Sequence, residues 1–466
     1  MDIRFSPHNT HRENPALFEE RDPHLRQLRQ QPLVFHSYLL DKLPAVSGIY
    51  TLGGGRQVGK TTLMKQWIAQ LLHRGIAPEQ IAYLTGELID DHHAMVRVID
   101  ETLGETPDKT TCFLIMDEVT YIRDWDKGIK YMADSGMLES VVLLLTGSDL
   151  GIIREARMRF PGRRGDSNIV DFHFYPLNFF ETVHLKRRLG HDELEELMET
   201  EREASPALLA KLHQEFEHYL IHGGFLTAIN DLERYGHIRP ATFSTYSDWI
   251  RGDVAKRGKQ EHFLREILEA IIKRYGSQIT WNALSQDLSI DHPKTVSDYV
   301  NVLLVMDAVF VQHALIEDKL VAAPKKARKL MFTDPFIFHA VKAWLTPTRD
   351  PYSLQVIPLL SDSDWSARLT ETSLVTHYRQ YYPSFYIKAE GEVDLAYISK
   401  NRFWPVEVKW RRQLRAKDLK QISKYRNALI LTKSTEFGRI NNIPTQPLPL
   451  AMLRLGAKER PEIQIS

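Results

Sequence analysis

Residues 54–61 read Gly-Gly-Arg-Gln-Val-Gly-Lys-Thr, the stretch that limits the fold most narrowly. The spacing G-x-x-x-x-G-K-[ST] puts Gly54, Gly59, Lys60 and Thr61 between a strand-like run, IYTL, and a segment whose apolar residues Met64, Trp67, Ile68, Leu71 and Leu72 share one helical face. A strand that ends in such a loop and restarts as a helix turns consecutive backbone N–H groups and the positive end of the helix dipole toward an anion. Gly54, Gly55, Arg56, Gln57, Val58, Gly59, Lys60, Thr61 and Thr62 are therefore expected to cradle the phosphates of ATP, with Lys60 on the β- and γ-phosphates and Thr61 on Mg2+.

The flanking sequence fits that reading. Over 47–177, the runs SGIYTL, IAYLTG, TCFLIMDE, VVLLLTGS and IVDFHFYPL alternate with segments of helical length, the rhythm of an α/β layer with a largely parallel sheet. The third run ends in Asp117 and Glu118, adjacent carboxylates that are costly at the end of a buried strand unless they meet a cation or a water network. Asp117 is expected in the magnesium shell and Glu118 as the general base on the attacking water. The fourth run leads through Thr146 and Gly147 to Ser148, a polar side chain placed to sense the γ-phosphate or orient that water. Downstream, REARMRFPGRRG holds Arg154, Arg157, Arg159, Arg163 and Arg164 against one acidic residue. Arg163 or Arg164 acting as an arginine finger, in cis or across the interface of a homo-oligomer, competes here with a solvated basic loop.

Composition excludes several classes. With 466 residues the chain has room for about three domains. Lys plus Arg and Asp plus Glu both number 60, so polyanion binding must come from local clusters. The single cysteine, Cys112, lies in an apolar run, which rules out an intrachain disulfide and a cysteine-rich zinc site and points to a reducing, cytoplasmic setting. The longest apolar runs are strand-sized, so no membrane span is expected. The organisation reads as an N-terminal segment, 1–46; the ATPase core, 47–185; a helical lid or connector, 186–255, broken at Gly223-Gly224; a winged helix, 256–335; and a second α/β domain, 336–466. In the winged helix, Leu264, Leu268, Ile271 and Ile272 share one face, and Val296, Val300, Leu303 and Leu304 another. Its basic stretch Lys325, Lys326, Arg328 and Lys329 is a candidate wing for phosphate contacts, with a purely packing role as the alternative. His92 and His93 read as solvent-exposed polar residues rather than metal ligands.

The last domain holds a second candidate site in GEVDLAYISKNRFWPVEVKW. A two-residue turn at Lys400-Asn401 sets Asp394 opposite Glu407 and Glu392 opposite Lys409. Like charges directly opposite destabilise a sheet, so the Asp–Glu pair calls for a counter-cation, and its oxygen ligands suit Mg2+ or Mn2+. Lys409, two residues after Glu407, shares its face and can position a water or meet charge developing on a phosphate. Pro405 inside the second strand threatens to shift this register. Between Lys400 and Arg426 there are ten Lys or Arg against Glu407 and Asp418, and a basic helix near 414–427 is expected to form a surface for the DNA backbone.

In order, GGRQVGKTTL, LIMDEV, LLLTGSD, GRRG, FYPLNFFE and YLIHGGF resemble the AAA+ superfamily ATPases that carry an AAA domain, a winged helix and a nuclease-like C-terminal domain, relatives of the archaeal-type and STAND signalling ATPases. The resemblance implies a P-loop core of the additional-strand type with Lys60, Thr61, Asp117 and Glu118 in the Walker positions. This chain departs in having Gly54-Gly55 where the family usually has Gly-Pro, and in Asp149 after the TGS motif. The Asp394, Glu407, Lys409 pattern is similar to the PD-(D/E)XK nuclease core, in which Glu371 on the preceding helix would add an acidic metal ligand. Gln421 and Tyr425 match the Q-x-x-x-Y signature of RecB-type nucleases. Together these imply ATP binding and hydrolysis that regulate a metal-dependent nuclease domain acting on DNA. The alternative is a STAND-like signalling or assembly switch whose C-terminal domain binds DNA or protein without cutting.

Overall fold

The computed structural model describes residues 2–106, 110–147, 150–165, 167–199, 203–286, 288–290, 292–410 and 419–460. It contains two compact units, the first running to Tyr175 and the second beginning at Pro176. The helix Phe179–Lys186 lies in the second unit.

In the first unit, β1 (Gly48–Gly53), β2 (Ile81–Thr85), β3 (Cys112–Asp117), β4 (Val141–Thr146) and β5 (Asp171–His173) form one sheet in the order β2-β3-β4-β1-β5. All four pairings are parallel. Strand β4 thus lies between the strand before the Gly-rich loop and the strand that ends in Asp117, which is the additional-strand arrangement. Both faces are covered, so β3 and β4 are buried at every position, as near-continuous apolar runs demand. On one face Leu114, Leu143 and Leu145 pack with Met95, Ile99, Trp125 and Ile129. The helix Lys60–His73 buries Met64, Trp67, Ile68 and Leu71, with the Trp67 ring edge-on to Phe113 at 6.0 Å.

The N-terminal segment folds onto this core. Asn9 donates to the Tyr83 carbonyl and accepts from the Tyr83 N–H, both at 2.7 Å, and so caps the edge of β2. Lys65, fully buried, donates to the His8 carbonyl at 2.6 Å, pairs with Asp22 at 3.4 Å, and lies over the Tyr83 ring at 3.8 Å.

The second unit begins with helices Phe179–Lys186, His191–Met198, Pro206–His222, Leu226–Tyr235 and Pro240–Lys256. Gly223 and Gly224 break the run for a steric reason. A Cβ on Gly224 would stand 2.1 Å from the Leu177 carbonyl oxygen, and one on Gly223 would overlap the carboxylate of Asp334. Three further helices, Glu261–Lys273, Trp281–Gln286 and Pro293–Val305, adjoin a three-stranded antiparallel sheet in the order β6 (Gln278–Ile279), β10 (Arg328–Phe332), β7 (Val309–His313). A short hairpin, β8 (Leu315–Ile316) with β9 (Val321–Ala322), projects between β7 and β10.

The last part is a mixed six-stranded sheet ordered β11 (Ser384–Lys388), β12 (Glu392–Ser399), β13 (Arg402–Lys409), β14 (Leu429–Thr432), β16 (Ile443–Pro447), β15 (Gly438–Ile440). The helix Ser363–Arg379 precedes it and Leu448–Gly456 follows. Of the basic helix expected near 414–427, residues 414–418 lie outside the described residues, and Ile422–Lys424 form a 3-10 turn. Among the described residues no helix is long and apolar enough to cross a membrane.

Candidate functional site

The Gly-rich loop leaves β1 past the exit of β5, and a Cβ on Gly54 would stand 2.5 Å from the Phe174 carbonyl oxygen. Gly59 enters the helix at φ 98°, a conformation glycine adopts without strain, and Gln57 is left-handed at φ 63°. Inside the loop Val58 is buried, and the Arg56 guanidinium donates to the Tyr121 hydroxyl at 2.9 Å. Lys60 is 6% exposed, and its ammonium donates to the carbonyls of Gly54 at 2.9 Å and Gly55 at 2.8 Å. The charge is thus held inside the curl of the loop, where phosphate oxygens would meet it.

Asp117 gathers polar groups from three other elements. Its Oδ2 accepts from Thr61 Oγ1 at 2.9 Å and from the Tyr83 hydroxyl at 2.5 Å, while its Oδ1 accepts from Thr146 Oγ1 at 2.5 Å. Thr146 also receives the Glu118 N–H at 3.1 Å. Glu118 is held left-handed at φ 54°, and its carbonyl oxygen would lie 2.4 Å from a Cβ on Gly86, so that glycine lets the turn close. One Glu118 carboxylate oxygen is buried without a partner. Burial pushes this carboxyl up to about 7, against the opposing pull of Lys60. A carboxyl with that poise accepts a proton from water efficiently near neutral pH.

The structure therefore brings Lys60, Thr61, Asp117 and Glu118 together. Ser148, with Asp149, lies outside the described residues. Two residues earlier, Thr146 is the hydroxyl that ties Asp117 to Glu118. Tyr83 carries no motif, and only its place inside the apolar run IAYL hints at it.

The arginines are placed elsewhere. Arg164 is buried, pairs with Asp171 at 2.7 Å and donates to the Ile49 carbonyl at 3.1 Å, clamping the start of β1 to β5 rather than serving as a finger. Arg163 pairs with Asp134 at 2.5 Å, at the C-terminal end of the helix Trp125–Asp134. Both guanidinium groups are thus committed to aspartates, Arg163 to Asp134 and Arg164 to Asp171.

In the second unit the hairpin register is the one expected. Leu395 pairs with Val406, Tyr397 with Trp404 and Ser399 with Arg402, around a turn in which Lys400 and Asn401 are both left-handed. Pro405 sits opposite Ala396 without shifting the ladder. Extended by one step, this register sets Asp394 against Glu407, and Asp394 Oδ2 there accepts the Val408 N–H at 2.8 Å. The Trp410 indole donates to Ser366 Oγ at 3.1 Å, fixing the end of β13 to the helix that carries Glu371.

Among the described residues, ligand oxygens of Glu371, Glu392 and Asp394 lie within 4.8 Å of one another. Glu407 is buried, accepts from Lys409 Nζ at 2.6 Å through one oxygen, and keeps the other buried without a partner. Burial, with Asp394 adding to it, pushes Glu407 up to about 8, and burial pushes Glu371 up to about 7. Glu392 and Lys329 are the members that sequence reasoning left out of the ligand set. Gln421 donates to the Tyr425 hydroxyl at 3.1 Å and accepts the Gly391 N–H at 3.3 Å, so this pair buttresses the start of β12.

The candidate wing is corrected in one respect. Lys325 and Lys326 are exposed, but Lys329 is turned inward, with its ammonium on Glu371 at 2.8 Å and on Glu392. The Arg328 guanidinium lies over the Trp281 ring at 4.6 Å. The reason is positional: β10 is the central strand of its sheet, and all its residues after Arg328 are buried.

Residues 46–183 match the family model of an AAA domain, and residues 213–348 match a domain of unknown function, DUF8612. An uncharacterised protein of Haemophilus influenzae is 25% identical over 268 residues, 55% of this chain; the chain spans 60% of that relative's length. The Walker-type ATPase paby2304 of Pyrococcus abyssi is similar at a TM-score of 0.40 and 14% identity, over 65% of this chain and 93% of that one. ORC2 of Aeropyrum pernix is similar at 0.32 and 14%, over 70% and 93%. A RuvB variant of Thermotoga maritima is similar at 0.29 and 18%, over 56% and 81%. Residues 46–183 thus form an AAA-type, ATPase-like domain.

Proposed function

We propose that the first unit hydrolyses ATP, and that its nucleotide state regulates a divalent-metal centre in the second unit that acts on DNA. The observation that carries the first part is the hydrogen bond from Thr61 to Asp117, at 2.9 Å, beside a Glu118 oxygen that is buried without a partner. A hydroxyl and a carboxylate converging beside Lys60 are the donor set that Mg2+ takes, and Thr61 and Asp117 would hold it. When bound, the ion offsets negative charge on the β- and γ-phosphate oxygens. Lys60 exchanges its two carbonyl partners for those oxygens, and the loop N–H groups orient them. Glu118 accepts a proton from the attacking water as the oxygen–phosphorus bond forms and the bond to the β-phosphate oxygen breaks, leaving ADP and phosphate.

In the second unit, Asp394, Glu371 and Glu407 would hold Mg2+ or Mn2+, and the unpartnered oxygen of Glu407 fits that role. Lys409 would meet charge developing on a DNA phosphate. Comparing plasmid nicking by the wild type, Lys60→Ala and Glu407→Ala, with and without ATP, tests the whole reading; equal cleavage by all three defeats it. Arg163, held by Asp134 within its own chain, would act as a finger on the γ-phosphate of a neighbouring copy in a homo-oligomer. Mixing Lys60→Ala chains with Arg163→Ala chains should then restore part of the ATPase activity that each lacks alone.

A second reading is a nucleotide-dependent switch whose C-terminal domain binds without cutting. The observation favouring it is that Glu371 and Glu392 already meet a cation, the ammonium of Lys329.

A further inference from the structure

Lys329 belongs to the three-stranded sheet, yet its ammonium is buried among carboxylates of the six-stranded sheet and of its preceding helix. Its side chain is 1% exposed and lies 2.8 Å from Glu371 Oε1, with Glu392 as its second partner. The two sheets are joined at the same place by other bonds. Gln278 donates to Glu392, Gln312 donates to the Asp394 carbonyl at 2.9 Å, and the Tyr386 hydroxyl donates to the Ala327 carbonyl at 2.5 Å. A lysine this deeply buried keeps its charge only because carboxylates surround it.

Glu371, Glu392 and Asp394 bring ligand oxygens within 4.8 Å of one another, and the ammonium of Lys329 meets two of these carboxylates. In the same domain one oxygen of Glu407 is buried and accepts no hydrogen bond. A divalent ion bound by Glu371 and Asp394 must, however, take oxygens from the carboxylate that Lys329 holds, and would place two positive charges beside the ammonium.

We propose that Lys329 is the resident cation of this carboxylate centre, and that a divalent metal ion binds there only by displacing it. The inference rests on reading the centre as a metal site. The contact is an internal block supplied by one sheet to the site of its neighbour. Five residues on from Lys329, Asp334 accepts the Gly224 N–H at 2.8 Å, and Gly224 in turn accepts the Leu177 N–H at 2.9 Å, next to the start of this unit.

The wild-type chain tests this directly through acylation of Lys329 by a water-soluble acetylating ester, read by peptide mass spectrometry. Lys329 should be protected without metal and react at least tenfold faster once Mn2+ fills the centre, as followed by electron paramagnetic resonance against an Asp394→Asn chain. Protection that persists while the centre holds Mn2+ overturns the proposal and leaves the metal site standing. Lys329→Met should bind Mn2+ at least tenfold more tightly than the wild type, and unchanged or weaker binding also overturns it. If neither chain binds Mn2+ beyond the Asp394→Asn chain, the metal reading itself fails and takes this inference with it. Should Lys329→Met not fold by circular dichroism, the acylation result on the wild type decides.

Discussion

The Tyr83 hydroxyl donates to Asp117 Oδ2 across 2.5 Å, so a side chain from β2, which has no part in the phosphate loop, sets the direction of the carboxylate at the end of β3. Thr61 donates to that same oxygen, and Thr146 donates to the other. The Tyr83 ring is fixed in turn by Lys65 above it and by Asn9 on its backbone.

Removing that hydroxyl should loosen Asp117 without unfolding the sheet. For Tyr83→Phe, the loss of about 1 kcal/mol of hydrogen bonding predicts an Mg2+ requirement for ATP hydrolysis raised about fivefold, with ATP affinity little changed. A Mg2+ titration of phosphate release checks it, and an unchanged midpoint would sink the assignment.

Lys60 and Glu118 should separate binding from chemistry. Lys60→Ala is expected to lose nucleotide binding, measured with a fluorescent ATP analogue. Glu118→Gln is expected to retain binding and lose hydrolysis by about 10²–10⁴-fold, the usual contribution of a general base.

Gly86 touches no phosphate, yet a Cβ there would press on the Glu118 carbonyl at 2.4 Å. Gly86→Ala should displace Glu118 and lower kcat about ten- to a hundredfold while leaving ATP affinity near the wild-type value. Single-turnover hydrolysis beside equilibrium binding distinguishes this outcome from a general loss of fold.

Asp334 carries a pH prediction. It is 3% exposed, and burial pushes its carboxyl from an ordinary 3.8 to about 7 despite the N–H groups of Gly224 and Phe336 that bond to it. Between those values the folded chain binds a proton that the unfolded chain releases, so the contribution to stability is full below the ordinary value and is lost as pH rises through about 7. From pH 6 to pH 8 this group alone should remove about 1.4 kcal/mol, and Asp334→Asn should lack that loss. Urea unfolding of the two chains at both pH values gives the difference; parallel pH dependence would contradict it.

Much of this protein was legible in sequence because the signals are local. A glycine-rich loop needs specific backbone conformations between a strand and a helix, and a two-residue turn sets a hairpin register by counting, so Gly54–Thr62, Asp117, Glu118 and the opposition of Asp394 to Glu407 could all be found from spacing. The basic stretch after β13 is less legible, since charge composition favours a backbone-binding surface but does not decide whether its residues propagate a helix. What only the tertiary structure decided concerns residues far apart in the chain. Tyr83 reaches Asp117, Arg163 pairs with Asp134, and Lys329 is buried between Glu371 and Glu392. A lysine in an apolar strand signals that a carboxylate must lie nearby, because its charge cannot be buried alone, but nothing in the order of residues says whose carboxylate it is.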